Sequence, residues 1–283
     1  MASLVWAKPT LRFPSVLRVC LLLVGVVALL PLPSAAERRR YEPLRASYDL
    51  TFAQDPALKT TIERLREAVE ARSMAKVTAL LSPNFAALDC GTDPTVPCGL
   101  RSGNPSSAKL PPAERLRRSL CCGDIPKAEI TKDLRDETVL GLLGALLADE
   151  GGSPGGNPEL PGAACVPPIA AFDRAAAKTM TKAADIEPDN LRVASAEIVL
   201  RDKARKDATE LERIPAGRVV PLVTLGQESL TAGWNAIAMP DGRLGYADKP
   251  ALNDLAVPSI CFSKTKKGDW AIAATIQRKD GAP

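Results

Sequence analysis

Residues 233–246 read GWNAIAMPDGRLGY. Pro240 fixes φ for the second position of a type I turn, and Gly242 supplies the left-handed angle that reverses the chain. On either side of this turn the residues alternate. Trp234, Ala236 and Ala238 share one face of the outgoing strand, and Leu244 and Tyr246 share a face of the returning one. The stretch is therefore expected to be a β-hairpin.

Strand signals of the same kind surround it. Glu197–Leu200, Arg218–Val223, Leu244–Ala247, Ile260–Ser263 and Trp270–Ile276 are short, β-rich and separated by turn residues, the last two by a turn containing KKGD. From Leu191 onward the apolar period is two. Short strands in this number favour a small closed barrel over an open sheet.

Before Leu191 the period is helical. Asp55-Pro56 is a cap followed by a first-turn proline, and Leu58, Ile62, Leu65 and Val69 then fall on one face, which predicts a helix over Pro56–Arg72. Ser73 caps a second helix carrying Val77, Leu80 and Leu81, which Ser82-Pro83 ends. Further helices are expected at Pro112–Leu120, at Pro126–Ala148 and in the alanine-rich Ile169–Ala184. The run Val139–Leu147 is too short to span a bilayer and reads as a helix buried in a core. Gly, Pro and Asn in residues 150–162 mark a flexible boundary.

The first 36 residues have the form of a secretory signal. Lys8, Arg12 and Arg18 flank or precede an apolar run from Val19 to Leu32, and Pro33-Ser34-Ala35-Ala36 offers small residues for cleavage. A periplasmic or secreted protein with no membrane span after cleavage is expected. Removing this segment takes three of 37 basic residues and none of 33 acidic ones, leaving 34 against 33. That balance, with Arg38-Arg39-Arg40 as a solvated tail, argues against a nucleic-acid partner.

Cys20 leaves with the signal, and Cys90, Cys98, Cys121, Cys122, Cys165 and Cys261 remain, an even number for an oxidising compartment. Cys90 and Cys98 flank a turn-rich stretch and are expected to pair. Cys121 and Cys122 are adjacent, so each is expected to pair elsewhere, with Cys165 and Cys261; a Cys122–Cys261 bridge would tie the two halves together. No C-x-x-C pair supports a zinc site.

Catalytic motifs are sparse. The chain contains no histidine, which removes Ser-His-Asp and Cys-His chemistry and the commonest neutral-pH acid-base group. Ser73-Met74-Ala75-Lys76 fits S-x-x-K but lacks the S-D-N and K-T-G partners of penicillin-recognising enzymes, and a serine cap explains the same residues. Asp185, Glu187 and Asp189 alternate like a calcium loop, yet Pro188, Asn190 and Ala196 stand where such a loop needs other residues. No cofactor or metal is expected.

Across Val193–Val223 and then Gly233–Lys249 the motifs Leu200-Arg201, Pro215-x-Gly217, Gly233-Trp234, Pro240-Asp241-Gly242 and Gly245-Tyr246 follow in order. This pattern resembles the bacterial SH3-like (SH3b) domain and covers about a third of the chain after the signal. Two departures stand out: Ala247-Asp248 breaks the strand that usually follows, and residues 260–277 extend the module. The resemblance implies an envelope protein that binds peptide or cell-wall fragments, with peptidoglycan or an envelope protein as partner. The contact residues it points to are Trp234, Asp241, Arg243 and Tyr246, although aromatics in a small barrel are more often core.

The expected organisation is α+β: a signal at 1–36, a helical domain at 37–150, a linker with a short helix at 151–190, and an SH3-like β-barrel at 191–280. The expected function is that of a non-catalytic adaptor or sensor. The alternative is a cell-wall hydrolase or transferase using carboxylates or Ser73 and Lys76.

Overall fold

A computed structural model of the chain describes residues 39–100, 110–121, 130–148, 153–224, 233–248, 250–255 and 257–278. The expected signal segment, Cys20 and Cys122 lie outside them. In chain order come α1 (Pro56–Glu70), α2 (Met74–Ala79), β1 (Leu81–Cys90), β2 (Gly99–Leu100), α3 (Pro112–Leu120), α4 (Lys132–Leu147), β3 (Gly155–Gly156), β4 (Ala164–Val166) and α5 (Arg174–Ala184). A 3-10 turn at Pro188–Asn190 leads into β5 (Leu191–Ala194), β6 (Ile198–Arg201), β7 (Glu210–Ile214), β8 (Val219–Val223), β9 (Trp234–Ala238), β10 (Leu244–Asp248), β11 (Leu252–Asp254), β12 (Ser259–Lys264) and β13 (Trp270–Arg278). The α+β class holds.

Apart from α3, which follows Pro111 with no side-chain cap, the described helices start where side chains satisfy their first N–H groups. The Asp55 carboxylate accepts from Ala57 and Leu58, both at 3.0 Å. Ser73 Oγ accepts from Lys76 N–H at 3.4 Å, and Thr131 Oγ1 from Leu134 N–H at 3.1 Å. Each cap of this kind contributes about 1 kcal/mol. Along α1 the heptad-like spacing buries Leu58, Ile62 and Leu65. In α4 Val139, Leu140, Leu143 and Leu147 are buried while Leu142 is 40% exposed, so only one side of this apolar helix faces the core.

The helices pack on a six-stranded sheet of order β2-β1-β13-β12-β4-β3. Leu58, Leu65, Val77, Leu116 and Leu143 meet Phe85, Phe262, Trp270 and Ile272 in one cluster. The helical half therefore does not close its own core; the hairpin β12–β13, expected in the barrel, completes it. β13 pairs parallel to β1, with Ala86 opposite Ala274 and Leu88 opposite Ile276. At its start β1 was expected to be the end of a helix, closed by Ser82-Pro83. It is buried on both faces at Phe85, Ala87, Leu88 and Cys90, so the period-two alternation that marks a half-buried strand is missing. Likewise Gly155–Asn157, expected as linker, is buried at the edge of this sheet.

The second sheet has the order β11-β5-β8-β9-β10-β6-β7. Among the described residues its end strands are β11 and β7, which do not pair with each other, in place of the closed barrel expected. It is nevertheless strongly curled. β5 and β6 are nearly contiguous in the chain yet occupy the second and sixth places. Extended chain from Ala194 to Ile198 reaches roughly 14 Å, whereas a flat sheet would hold those strands roughly 19 Å apart. Ile198, Leu200, Ile214, Val220, Ile237 and Met239 fill the concave side.

Two disulfides join pairs of described residues. Cys90–Cys98 matches the expected pair. Cys165 and Cys261 bond to each other, which excludes the expected pairings of Cys121 and Cys122 with them. The reason is register: β4 and β12 are antiparallel neighbours that set Cys165 directly opposite Cys261, with Cα atoms 4.0 Å apart. Cys121 is disulfide-bonded as well.

An extended segment before α1 crosses from one sheet to the other. Tyr41 donates its N–H to Pro240 O, Val219 donates to Leu44 O, and Ser47 and Ala171 exchange backbone bonds. Gly156 N–H then bonds Asp49 O, and Phe52 packs edge-on against Trp270 at 5.6 Å.

Candidate functional site

The hairpin forms as expected. Gly242 N–H closes the turn on Met239 O at 2.9 Å, Met239 N–H bonds Arg243 O, and Gly242 has φ +88°. Its four candidate residues do not converge. Trp234 is only 9% exposed and stands opposite Asp248. Tyr246, half-buried opposite Ala236, joins an apolar patch with Ala184, Val223, Ala236 and Ala238. Asp241 and Arg243 sit at the tip and engage each other: Arg243 N–H donates to Asp241 Oδ1 at 3.0 Å and Nε to Oδ2 at 2.6 Å. The Arg243 backbone N–H, then its guanidinium, holds the Asp241 carboxyl below its usual range.

A concave site lies beside that apolar patch. It is an open groove of about 550 Å³ between α5, the turn that follows it, the end of β8 and the loop closed by Cys90–Cys98. None of the four hairpin candidates lines it.

Local chemistry sets each wall. Asp173 caps α5 by accepting Ala176 N–H at 3.0 Å, and Asp185 ends the helix in the left-handed region at φ 54°. Lys178 and Lys182, one turn apart, stand exposed along the helix. Asp185 and Glu187 follow where the chain turns toward Pro188–Asn190. Opposite, Asp93 accepts the N–H and hydroxyl of Thr95 at 2.7 and 2.6 Å, which shapes the disulfide loop. Asn190 reaches Thr224 Oγ1 at 3.5 Å across the floor.

Two features distinguish the groove. First, Lys178, Lys182, Asp185 and Glu187 form no ion pair among the described residues, whereas charged groups elsewhere do, such as Arg192 with Asp254 at 2.8 Å and Arg213 with Glu197 at 2.8 Å. Second, β8 outruns its neighbour. Its pairing with β5 ends at Pro221 opposite Leu191, so on that side Leu222–Thr224 has no strand partner among the described residues.

These residues were only partly visible in the sequence. Asp185 and Glu187 stood out as failed calcium ligands, and among the described residues no group of three His, Cys, Asp or Glu is placed to hold a metal. Lys178 and Lys182 were overlooked inside an alanine-rich helix. Their one-turn spacing, followed at once by two acids, was the available signal. Ser73 is engaged as the cap of α2, and Lys76 meets it through its backbone N–H. No helix among the described residues is long and apolar enough to cross a membrane. No protein-family model, curated protein or solved structure matches the chain.

Proposed function

We propose that this chain is a non-catalytic exported envelope protein, an adaptor or sensor that binds peptide or cell-wall fragments, and that its curled second sheet is an SH3-like module. The observation that carries the binding reading is the groove, open and lined by charges of both signs that form no ion pair among the described residues. Buried disulfides support an oxidising compartment.

The SH3-like reading rests on the backbone at the motif positions. Gly217, Gly233 and Gly242 all have φ between 80° and 91°, where a side chain would be strained. The bend between β5 and β6 lets one short stretch of chain pair with β8 at its start and with β10 at its end. That supplies the curl a small barrel needs.

The test is co-sedimentation of the chain from residue 37 onward with purified peptidoglycan. Retention in the pellet that soluble peptidoglycan fragments compete away supports the reading. Release of soluble fragments from the peptidoglycan would favour a hydrolase or transferase.

A further inference from the structure

We propose that the groove beside α5 takes an extended peptide that adds as a strand to the end of β8, which has no strand partner on that side among the described residues, and carries two acidic side chains spaced two residues apart. This inference rests on the binding reading above and specifies its ligand.

The backbone argument comes from β8. A strand edge with no neighbour presents N–H and C=O groups to a ligand, and an added peptide strand satisfies them. Leu222–Thr224 has no strand neighbour on that side among the described residues, where the Asn190 side chain reaches Thr224, and Val223 and Thr224 line the groove.

The charge argument comes from α5. Lys178 and Lys182 are four residues apart, which is about 6 Å along a helix. Alternate residues of a strand are about 6.7 Å apart and point to the same side. Two carboxylates at i and i+2 therefore match the two lysine positions in spacing along the helix and in sign. Beyond Lys182 the sign changes: Asp185 and Glu187 lie at the C-terminal end of α5, where the helix dipole also favours a cation. A basic residue two positions before the first acid fits there. The recognised pattern is basic-x-acidic-x-acidic, with apolar residues between.

The probe is the hexapeptide Lys-Val-Glu-Val-Glu-Val, labelled at its C-terminus, against the chain from residue 37 onward at low salt. The control, Lys-Val-Val-Val-Glu-Glu, has the same composition but splits its acids between the two faces of a strand. We expect the control to bind about tenfold more weakly. The double variant Lys178→Glu/Lys182→Glu should lose the probe by about tenfold and take up Lys-Val-Lys-Val-Lys-Val instead; both side chains are exposed, and thermal unfolding checks that the fold is retained. Amide exchange at Leu222–Thr224 should slow when the probe is bound.

Equal binding of probe and control, or unchanged probe binding by the double variant, would overturn the proposal. Probe binding without slowed exchange at Leu222–Thr224 would overturn its strand-addition half. Peptidoglycan retention by the double variant, with no probe bound by either protein, would sink this site and leave the binding reading standing. Loss of both retention and probe binding in the unaltered chain would remove the two together.

Discussion

Gly245 lies directly beneath the Leu200 side chain: a Cβ at Gly245 would stand 2.8 Å from Leu200 Cδ1 and 3.0 Å from its Cβ. Leu200 is fully buried on β6, and β10 pairs with β6 at the next residue, Tyr246 opposite Arg201. The glycine of the Gly-Tyr motif is thus a packing requirement at the point where the second sheet curls. Gly245→Ala should cost about 1–3 kcal/mol, the usual range for overpacking. Gly141 is the contrast, since a Cβ there meets nothing within 4 Å and the residue sits inside α4. Gly141→Ala should stabilise by up to about 1 kcal/mol. Urea unfolding of both variants checks the opposite signs.

The Cys165–Cys261 and Cys90–Cys98 disulfides should differ in what they protect. Cys165–Cys261 bridges residues 96 apart, and both are fully buried. Replacing both by alanine should cost about 2–5 kcal/mol. Cys90–Cys98 closes only eight residues, Cys98 is half-buried, and the loop supplies Asp93 and Thr95 to the groove. Its removal should cost about 2–3 kcal/mol at most but weaken peptide binding more than the first pair does. Graded reduction followed by thiol labelling should mark Cys98 before Cys261, and the reverse order would contradict this assignment.

Elements defined by local chemistry were legible. Asp55-Pro56 with Leu58, Ile62 and Leu65 specifies α1 within one stretch, and Pro240-Asp241-Gly242 specifies the hairpin in the same way. What could not be read depended on distant partners. β1 becomes a strand because β13, nearly two hundred residues later, pairs with it, and its burial on both faces erases the alternation. The same long-range pairing moved β12 and β13 out of the expected barrel and set Cys165 against Cys261. The groove was less legible still. It gathers Asp93, Lys178, Lys182, Glu187 and Thr224 from separate parts of the chain, and in sequence all but Glu187, which shows only in a failed calcium loop, look like ordinary solvated residues.

Tyr41 should make stability fall at alkaline pH. Its hydroxyl donates to Ala238 O at 2.7 Å, and burial, reinforced by Glu212, raises its pKa above the usual tyrosine value. The folded state thus holds the proton more tightly than the unfolded chain. The stability from this group is complete below about pH 10, the unfolded value, and is lost as pH rises from there through the raised folded value. Tyr41→Phe should cost about 0.5–1.5 kcal/mol near neutrality through the lost hydrogen bond. Tyr48 is also raised by burial, so the variant removes only one share of the slope. Urea midpoints at about pH 8 and about pH 11 should converge between the two proteins; a constant gap would show that Tyr41 does not titrate differently on folding.

Ser73 separates the adaptor reading from the hydrolase reading. Its Oγ accepts the Lys76 N–H at the start of α2, a geometry that asks nothing of the Lys76 ammonium. As a cap, Ser73→Ala should cost about 0.5–2 kcal/mol, Ser73→Asp should restore most of that, and Lys76→Ala should change little. As a nucleophile activated by Lys76, all three substitutions would abolish turnover alike, because aspartate caps a helix but cannot replace a serine that forms a covalent intermediate. Thermal unfolding of the three variants, read beside fragment release from peptidoglycan, decides between them. Rescue of stability by aspartate with no fragment release from any protein, including the unaltered one, is the expected result. Release by the unaltered chain that Ser73→Asp and Lys76→Ala both eliminate would establish the catalytic alternative.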